Sequence, residues 1–254
     1  MNRANAQEFH GFRWQHALLA LLAFGSLGLM LSLPAIRQDS AYHLFADRRI
    51  LCGGPNFWDV ASNVPFLLVG IAGLKSCLGS GLMTGRSSWI VLFAGVSLVS
   101  VGSGIYHWDP NNATLVWDRL PMTIAFMGLF VALLAEYVHA RLGSVLLIPM
   151  LLLGLSSVLY WERADDLRLY IWVQLIPLLT IPAVMLLFRA RYSHSWLLAP
   201  ALGLYVLAKV AEIYDREFFA LTGGQFSGHS LKHLVASTGC LVVLWMLRIR
   251  RASS

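Results

Sequence analysis

Two short polar islands interrupt an otherwise apolar chain, and both carry side chains able to do chemistry. The second in chain order, Gly228-His229-Ser-Leu-Lys-His233, places two imidazoles four residues apart. On a helix they project from one face, one above the other, a spacing with which helices bind zinc. In the zinc-binding HExxH motif a glutamate lies between the histidines, whereas here the intervening residues are Ser230, Leu231 and Lys232. A third ligand and an acid/base must therefore come from elsewhere. Catalytic zinc takes three protein ligands and keeps one position open. The first island, from Ser103 to Met122, offers His107 as the third ligand. Ser103 lies four residues before His107 and shares its helix face, where a hydroxyl can support a water or a developing oxyanion. Asp118 is the acid/base candidate, able to orient water and pass a proton to a leaving amine.

Each residue also has a plain structural reading. HxxxH pairs recur by chance in soluble proteins, although ionisable side chains inside membrane spans are costly and usually functional. Asp118 could cap a helix N-terminus. Ser103 could be a small packing residue between Gly102 and Gly104. His10, His16, His43, His139 and His194 fall in tails, connections or span ends and read as structural. The cluster Lys209, Glu212, Asp215, Arg216 and Glu217 reads first as local ion pairing, Lys209 with Glu212, and second as a headgroup contact. Trp58, Trp89, Trp108, Trp117, Trp161, Trp172 and Trp196 read as interfacial anchors.

The elements that must position these residues are transmembrane helices. Of the 254 residues, 57% are hydrophobic and only 13% charged, about half the charge of soluble domains. Apolar runs at Trp14–Leu33, Phe57–Leu78, Trp89–His107, Leu115–Tyr137, Val145–Trp161, Leu169–Phe188, Trp196–Ile213 and His229–Leu247 are each near the length that crosses a ~30 Å hydrocarbon core. The fold expected is an all-α polytopic membrane protein, with the fifth run the shortest. Pro34 and Arg37 end the first run without a small-residue cleavage site, so it reads as a retained helix rather than a signal peptide. Cys52, Cys77 and Cys240 are too scattered for a disulfide framework or a CxxC metal site. There is no internal repeat of the kind that marks transporters, and no connection long enough for a soluble domain.

The net charge of +6 reads as topology rather than as nucleic-acid binding. Arg3, Arg13, Lys75, Arg86, Arg141, Arg189, Arg191, Arg248, Arg250 and Arg251 fall on one side with Glu8 and Glu136; the other nine basic residues share the opposite side with eleven acids. The basic side is expected to be cytoplasmic, with both termini inside. His107, Asp118 and His229 then share one layer toward the non-cytoplasmic face. The compact tails suit a bacterial inner membrane, with the endoplasmic reticulum or Golgi as the alternative.

With these motifs the chain resembles the alkaline ceramidases, of the CREST group of seven-helix membrane hydrolases and receptors. The residues that carry the resemblance are Asn56-Phe-Trp58-Asp-Val-Ala-Ser62-Asn63-Val-Pro65-Phe66, Gly102-Ser103-x-x-x-His107, Trp117-Asp118-x-Leu-Pro121-Met122 and His229-x-x-x-His233. It covers roughly residues 45 to 247. The resemblance implies a seven-helix hydrolase domain over 45–247, preceded by a tail and an additional helix over 1–44 and followed by a basic tail over 248–254. It also implies zinc on His107, His229 and His233, with Ser103 and Asp118 beside it, and hydrolysis of a ceramide amide to a sphingoid base and a fatty acid. Animal members of the family bind calcium through an acidic segment before the core; here Asp47 to Asp59 has an acid at each end but Asn56 where a glutamate is expected, which argues against calcium. The partner expected is a membrane lipid, with no nucleic acid and no obligate protein partner. The rivals are a related hydrolase cleaving another lipid amide or ester, and a receptor-like or structural protein whose zinc only ties helices together.

Overall fold

The computed structural model describes residues 14–79 and 83–252. Arg3, Glu8, His10 and Arg13 lie outside the described residues. The protein is an all-α polytopic membrane protein built from α1 (Trp14–Ser32), α2 (Phe57–Ala61), α3 (Val64–Gly79), α4 (Arg86–Trp108), α5 (Asn112–Leu133), α6 (Leu142–Val145), α7 (Leu147–Ala164), α8 (Arg168–Leu187), α9 (Leu198–Ile213), α10 (Asp215–Leu221) and α11 (Gly228–Ile249). A π-helical turn, Leu134–Val138, prolongs α5.

Among the described residues seven helices are long and apolar enough to cross a membrane, one of them formed by α2 and α3 in series. The fifth predicted run is α7, which is not among the seven because Glu162 and Arg163 lie in its last turn. It nevertheless traverses the bundle. Just before its start, in α6, Gly143 lies against Gly85 and Ala135. At its end Asp165 accepts a hydrogen bond from Gln38 N–H, while Gln38 Oε1 accepts one from Arg119 in α5. The second predicted run is broken at Ser62–Asn63, where the Asn63 side chain bonds back to the Asp59 carbonyl.

Bilayer hydrocarbon gives helices little hydrophobic reason to associate, so close backbone approach and polar contacts hold them together. The α4–α5 pair shows this best. Pro121 has no N–H to offer the Trp117 carbonyl one turn back, and Gly102 of α4 lies against that oxygen so closely that a Cβ would overlap it. By contrast, α1 packs mainly on α8 and buries only Leu19.

Three of the tryptophans read as interfacial anchors are core residues instead. Trp89, Trp161 and Trp172 are buried: Trp89 donates to Glu136 (2.7 Å), Trp161 stacks on Arg119, and Trp172 donates to Ser26 (3.0 Å). Trp108, Trp117 and Trp196 are exposed, as anchors require. Glu136 also pairs with buried Arg250 at 2.7 Å, closing the bundle end opposite the histidines.

Candidate metal centre

His107 lies in the last turn of α4, and His229 and His233 lie in the first two turns of α11. Their rings form a nearly equilateral triangle, with centroids 4.7, 4.9 and 5.0 Å apart. All three are buried, and one potential ligand atom from each lies within 4.8 Å of the others. His107 Nε2 and His229 Nε2 are 3.3 Å apart. Two ligands on a tetrahedral ion with bonds of ~2.0–2.1 Å are separated by about 3.3–3.4 Å, so this pair already has the spacing of a tetrahedron's edge. A set of three imidazoles suits a divalent ion of intermediate softness. The residues fit a metal.

The first turn of α11 is anchored from two sides. Ser227 caps it, its hydroxyl accepting from Ser230 N–H at 2.9 Å. The buried Asp59 of α2 accepts from the Ser227 and Ser230 hydroxyls at 3.1 and 2.6 Å. Asp215 accepts from the His229 backbone N–H and, through its other oxygen, from Ala46 N–H, both at 2.8 Å. Gly228 permits this closeness, because a Cβ there would run into the Ala211 carbonyl and the Asp215 backbone.

Neighbouring side chains set the ring orientations. Ser62 Oγ lies 2.8 Å from His233 Nδ1 and donates to the Asp59 carbonyl at 3.3 Å. With its proton directed there, Ser62 accepts from Nδ1–H and leaves the Nε2 lone pair for a ligand role. Lys232 Nζ sits 2.9 Å from His229 Nε2 and 3.1 Å from Glu212. Asn56 donates to the His107 carbonyl at 2.8 Å, and Phe45 covers the His107 and His229 rings at centroid distances of 4.8 and 4.7 Å. His107 Nδ1 is buried without a hydrogen-bond partner among the described residues.

Ser103 and Asp118 sit beside this centre. Both line a cavity of about 410 Å³ that His233 also lines. Asp118 is not a helix cap. Asn111 caps α5 in a reciprocal capping box with Thr114, and Asp118 lies further inside the helix with its carboxylate on the cavity wall. The cavity shares Phe66, Val99 and Met122 with an almost wholly apolar extension of about 160 Å³.

The expected Lys209–Glu212 ion pair is present, but Glu212 also takes Lys232 and accepts from the Tyr42 hydroxyl at 3.2 Å. The two acids of the segment from Asp47 to Asp59 both make hydrogen bonds within the protein. Asp59 accepts from Ser227 and Ser230 through Oδ1 alone, its Oδ2 having no partner among the described residues, and Asp47 accepts three hydrogen bonds from Arg49. Burial alone would raise the Asp47 carboxyl, but those bonds outweigh it and hold the group below the usual carboxylate range. Sequence reasoning missed the supporting roles of Ser62, Asp59 and Asp215. Their signal was the cost of polar side chains within or beside apolar spans. No protein-family model matches this chain, and a search of curated proteins finds no match.

Proposed function

We propose that the protein is a zinc-dependent membrane amidase that hydrolyses ceramide, or a ceramide-like lipid, to a sphingoid base and a fatty acid. The observation that carries this reading is a cluster of three buried histidines, one of which, His233, joins Asp118 and Ser103 on the wall of a cavity that shares lining residues with an apolar extension. The ceramide resemblance of the four motifs supplies the substrate class.

His107, His229 and His233 would hold the metal, which when bound supplies a Lewis acid for the amide carbonyl and makes water a better nucleophile near neutrality. Asp118, facing the cavity beside Ser103, accepts the proton of the attacking water and delivers it to the departing amine. Ser103, on the same cavity wall, offers a hydroxyl to the developing oxyanion. The apolar extension takes a hydrocarbon chain and keeps bulk water from the reacting carbonyl. Among the described residues the group comprises three candidate ligands, which leaves one position open on a four-coordinate ion. A purely structural zinc site would be closed.

The test is to incubate the purified protein in nanodiscs with ceramide and with a matched ester lipid, and to quantify the released sphingoid base, alcohol and fatty acid by mass spectrometry. Amide cleavage that is lost on chelation and restored by zinc is the expected result. Ester cleavage alone would move the protein to a related hydrolase. Retained metal with neither bond cleaved would favour the receptor-like or structural reading.

A further inference from the structure

The cavity beside the histidines carries more positive charge than its acids balance. Asp118, Arg119, Lys209, Glu212 and Lys232 line it, three cations against two carboxylates. Glu212 pairs with both lysines. Arg119 is buried, and among the described residues no carboxylate lies within ion-pair distance of it. A buried charge without a counter-ion is costly, and here the guanidinium is held by weaker partners. Trp161, Tyr170 and Tyr42 surround it, with ring centroids 3.9, 4.7 and 5.9 Å from Cζ. Nη2 donates to Gln38 Oε1 at 2.5 Å, and Nη1 is buried with no hydrogen-bond partner among the described residues. Aromatic faces stabilise a cation without neutralising it, so the charge remains available to an anion.

Its position decides which part of a lipid it would meet. Met122, one turn further along α5, lines both the polar cavity and the apolar extension, whereas Arg119 lines the polar cavity alone. Tyr42 and Gln38 come from the connection between α1 and α2, outside the spans. A hydrocarbon chain lying in the extension therefore points its polar end at Arg119. We propose that Arg119 forms a headgroup subsite that takes an anionic oxygen group, a carboxylate or phosphate, carried on the amine half of the lipid. Guanidinium is suited to this because its planar N–H fork matches both groups. Within the ceramide-like class this adds a preference for acidic lipid amides over neutral ones such as ceramide, without removing the neutral ones as substrates, and it rests on the amidase reading only for which half of the lipid lies there.

The experiment measures binding rather than turnover. Full-length protein in detergent is titrated with hexadecylsulfonyl-glycine, hexadecylsulfonyl-ethanolamine and the phosphate ester of the latter, followed by tryptophan fluorescence. The sulfonamide resists amide hydrolysis, so lack of amidase activity would not alter the result, and a failed headgroup preference would leave the metal centre untouched. Wild type should bind both anionic ligands about tenfold more tightly than the neutral one. Arg119→Gln should bring all three within about twofold, and Arg119→Lys should keep most of the preference. Equal binding of all three by wild type, or a preference that survives in Arg119→Gln, overturns the proposal. So does a preference for palmitate over hexadecanol that Arg119→Gln abolishes, if the three headgroups are not distinguished; that pattern assigns the anion to the released acyl chain. Should Arg119→Gln fail to fold, Gln38→Ala decides. Releasing Nη2 should reduce the preference several-fold, and an unchanged preference overturns the proposal.

Discussion

Replacing Ser62 by alanine should weaken metal binding although Ser62 is not a ligand. Its hydroxyl is buried, lies 2.8 Å from His233 Nδ1, and directs its own proton to the Asp59 carbonyl. Alanine would leave Nδ1–H buried without an acceptor, at a cost of about 1–3 kcal/mol. Nδ1–H becomes a stronger donor when Nε2 ligates a cation, so most of this cost should fall on the metal-bound state. The dissociation constant should rise roughly 10–100-fold, or about 1.4–2.7 kcal/mol. Competition against a chromophoric chelator measures it on the detergent-purified protein, with thermal unfolding followed in parallel. Thr238→Ala is the control: its hydroxyl bonds the Leu234 carbonyl on the exposed face of the same helix, and its removal should leave metal affinity unchanged. If Ser62→Ala binds metal as tightly as wild type, or if the control weakens binding equally, the reasoning about His233 fails.

Asp59→Ala removes the acceptor of two buried hydroxyls at the start of α11 and should cost about 2–4 kcal/mol, seen as a lower unfolding temperature together with weaker metal binding; loss of metal affinity alone would mean that Asp59 does not anchor the helix. Gly228→Ala forces a methyl against the Ala211 carbonyl and the Asp215 backbone and should destabilise by about 1–3 kcal/mol, measured by the same unfolding assay. Hydrogen bonds from Arg168, acting against burial, hold the Asp166 carboxyl down at about 2. A group depressed in the folded state stabilises above its unfolded pKa, ~3.9, and loses that contribution as pH falls through its folded value. Wild type should therefore lose stability between about pH 4 and pH 2, and Asp166→Asn should flatten that part of the profile and be less stable at neutral pH.

Much of this architecture was legible in the sequence because apolar runs of spanning length need no tertiary information to be recognised. The ends of α4, α8 and α11 fall within three residues of the expected spans. The pairing of His229 with His233 was legible for a similar reason, since residues four apart share a helix face. Adding His107 needed only the inference that span ends at one layer can meet. What stayed hidden depends on contacts across the chain. Ser62 and His233 are 171 residues apart, and Asp59 and Ser227 are 168 apart. No local pattern announces either partner. Trp89 was misread because its apolar ring and span-end position suit an interface, while its burial depends on Glu136 receiving its N–H. Asp118 was equally ambiguous between cap and cavity until Asn111 was seen to cap α5.

Metal content distinguishes a zinc centre from three histidines that merely pack together. Purified wild type, His107→Ala, His229→Ala, His233→Ala and Asp118→Ala would be analysed side by side by inductively coupled plasma mass spectrometry after dialysis against dilute zinc, with ceramide hydrolysis assayed on the same samples. The account predicts about one zinc per chain in wild type and in Asp118→Ala, a loss in each histidine variant, and hydrolysis in wild type alone. Wild type that retains no metal, or histidine variants that retain it fully, would contradict the account.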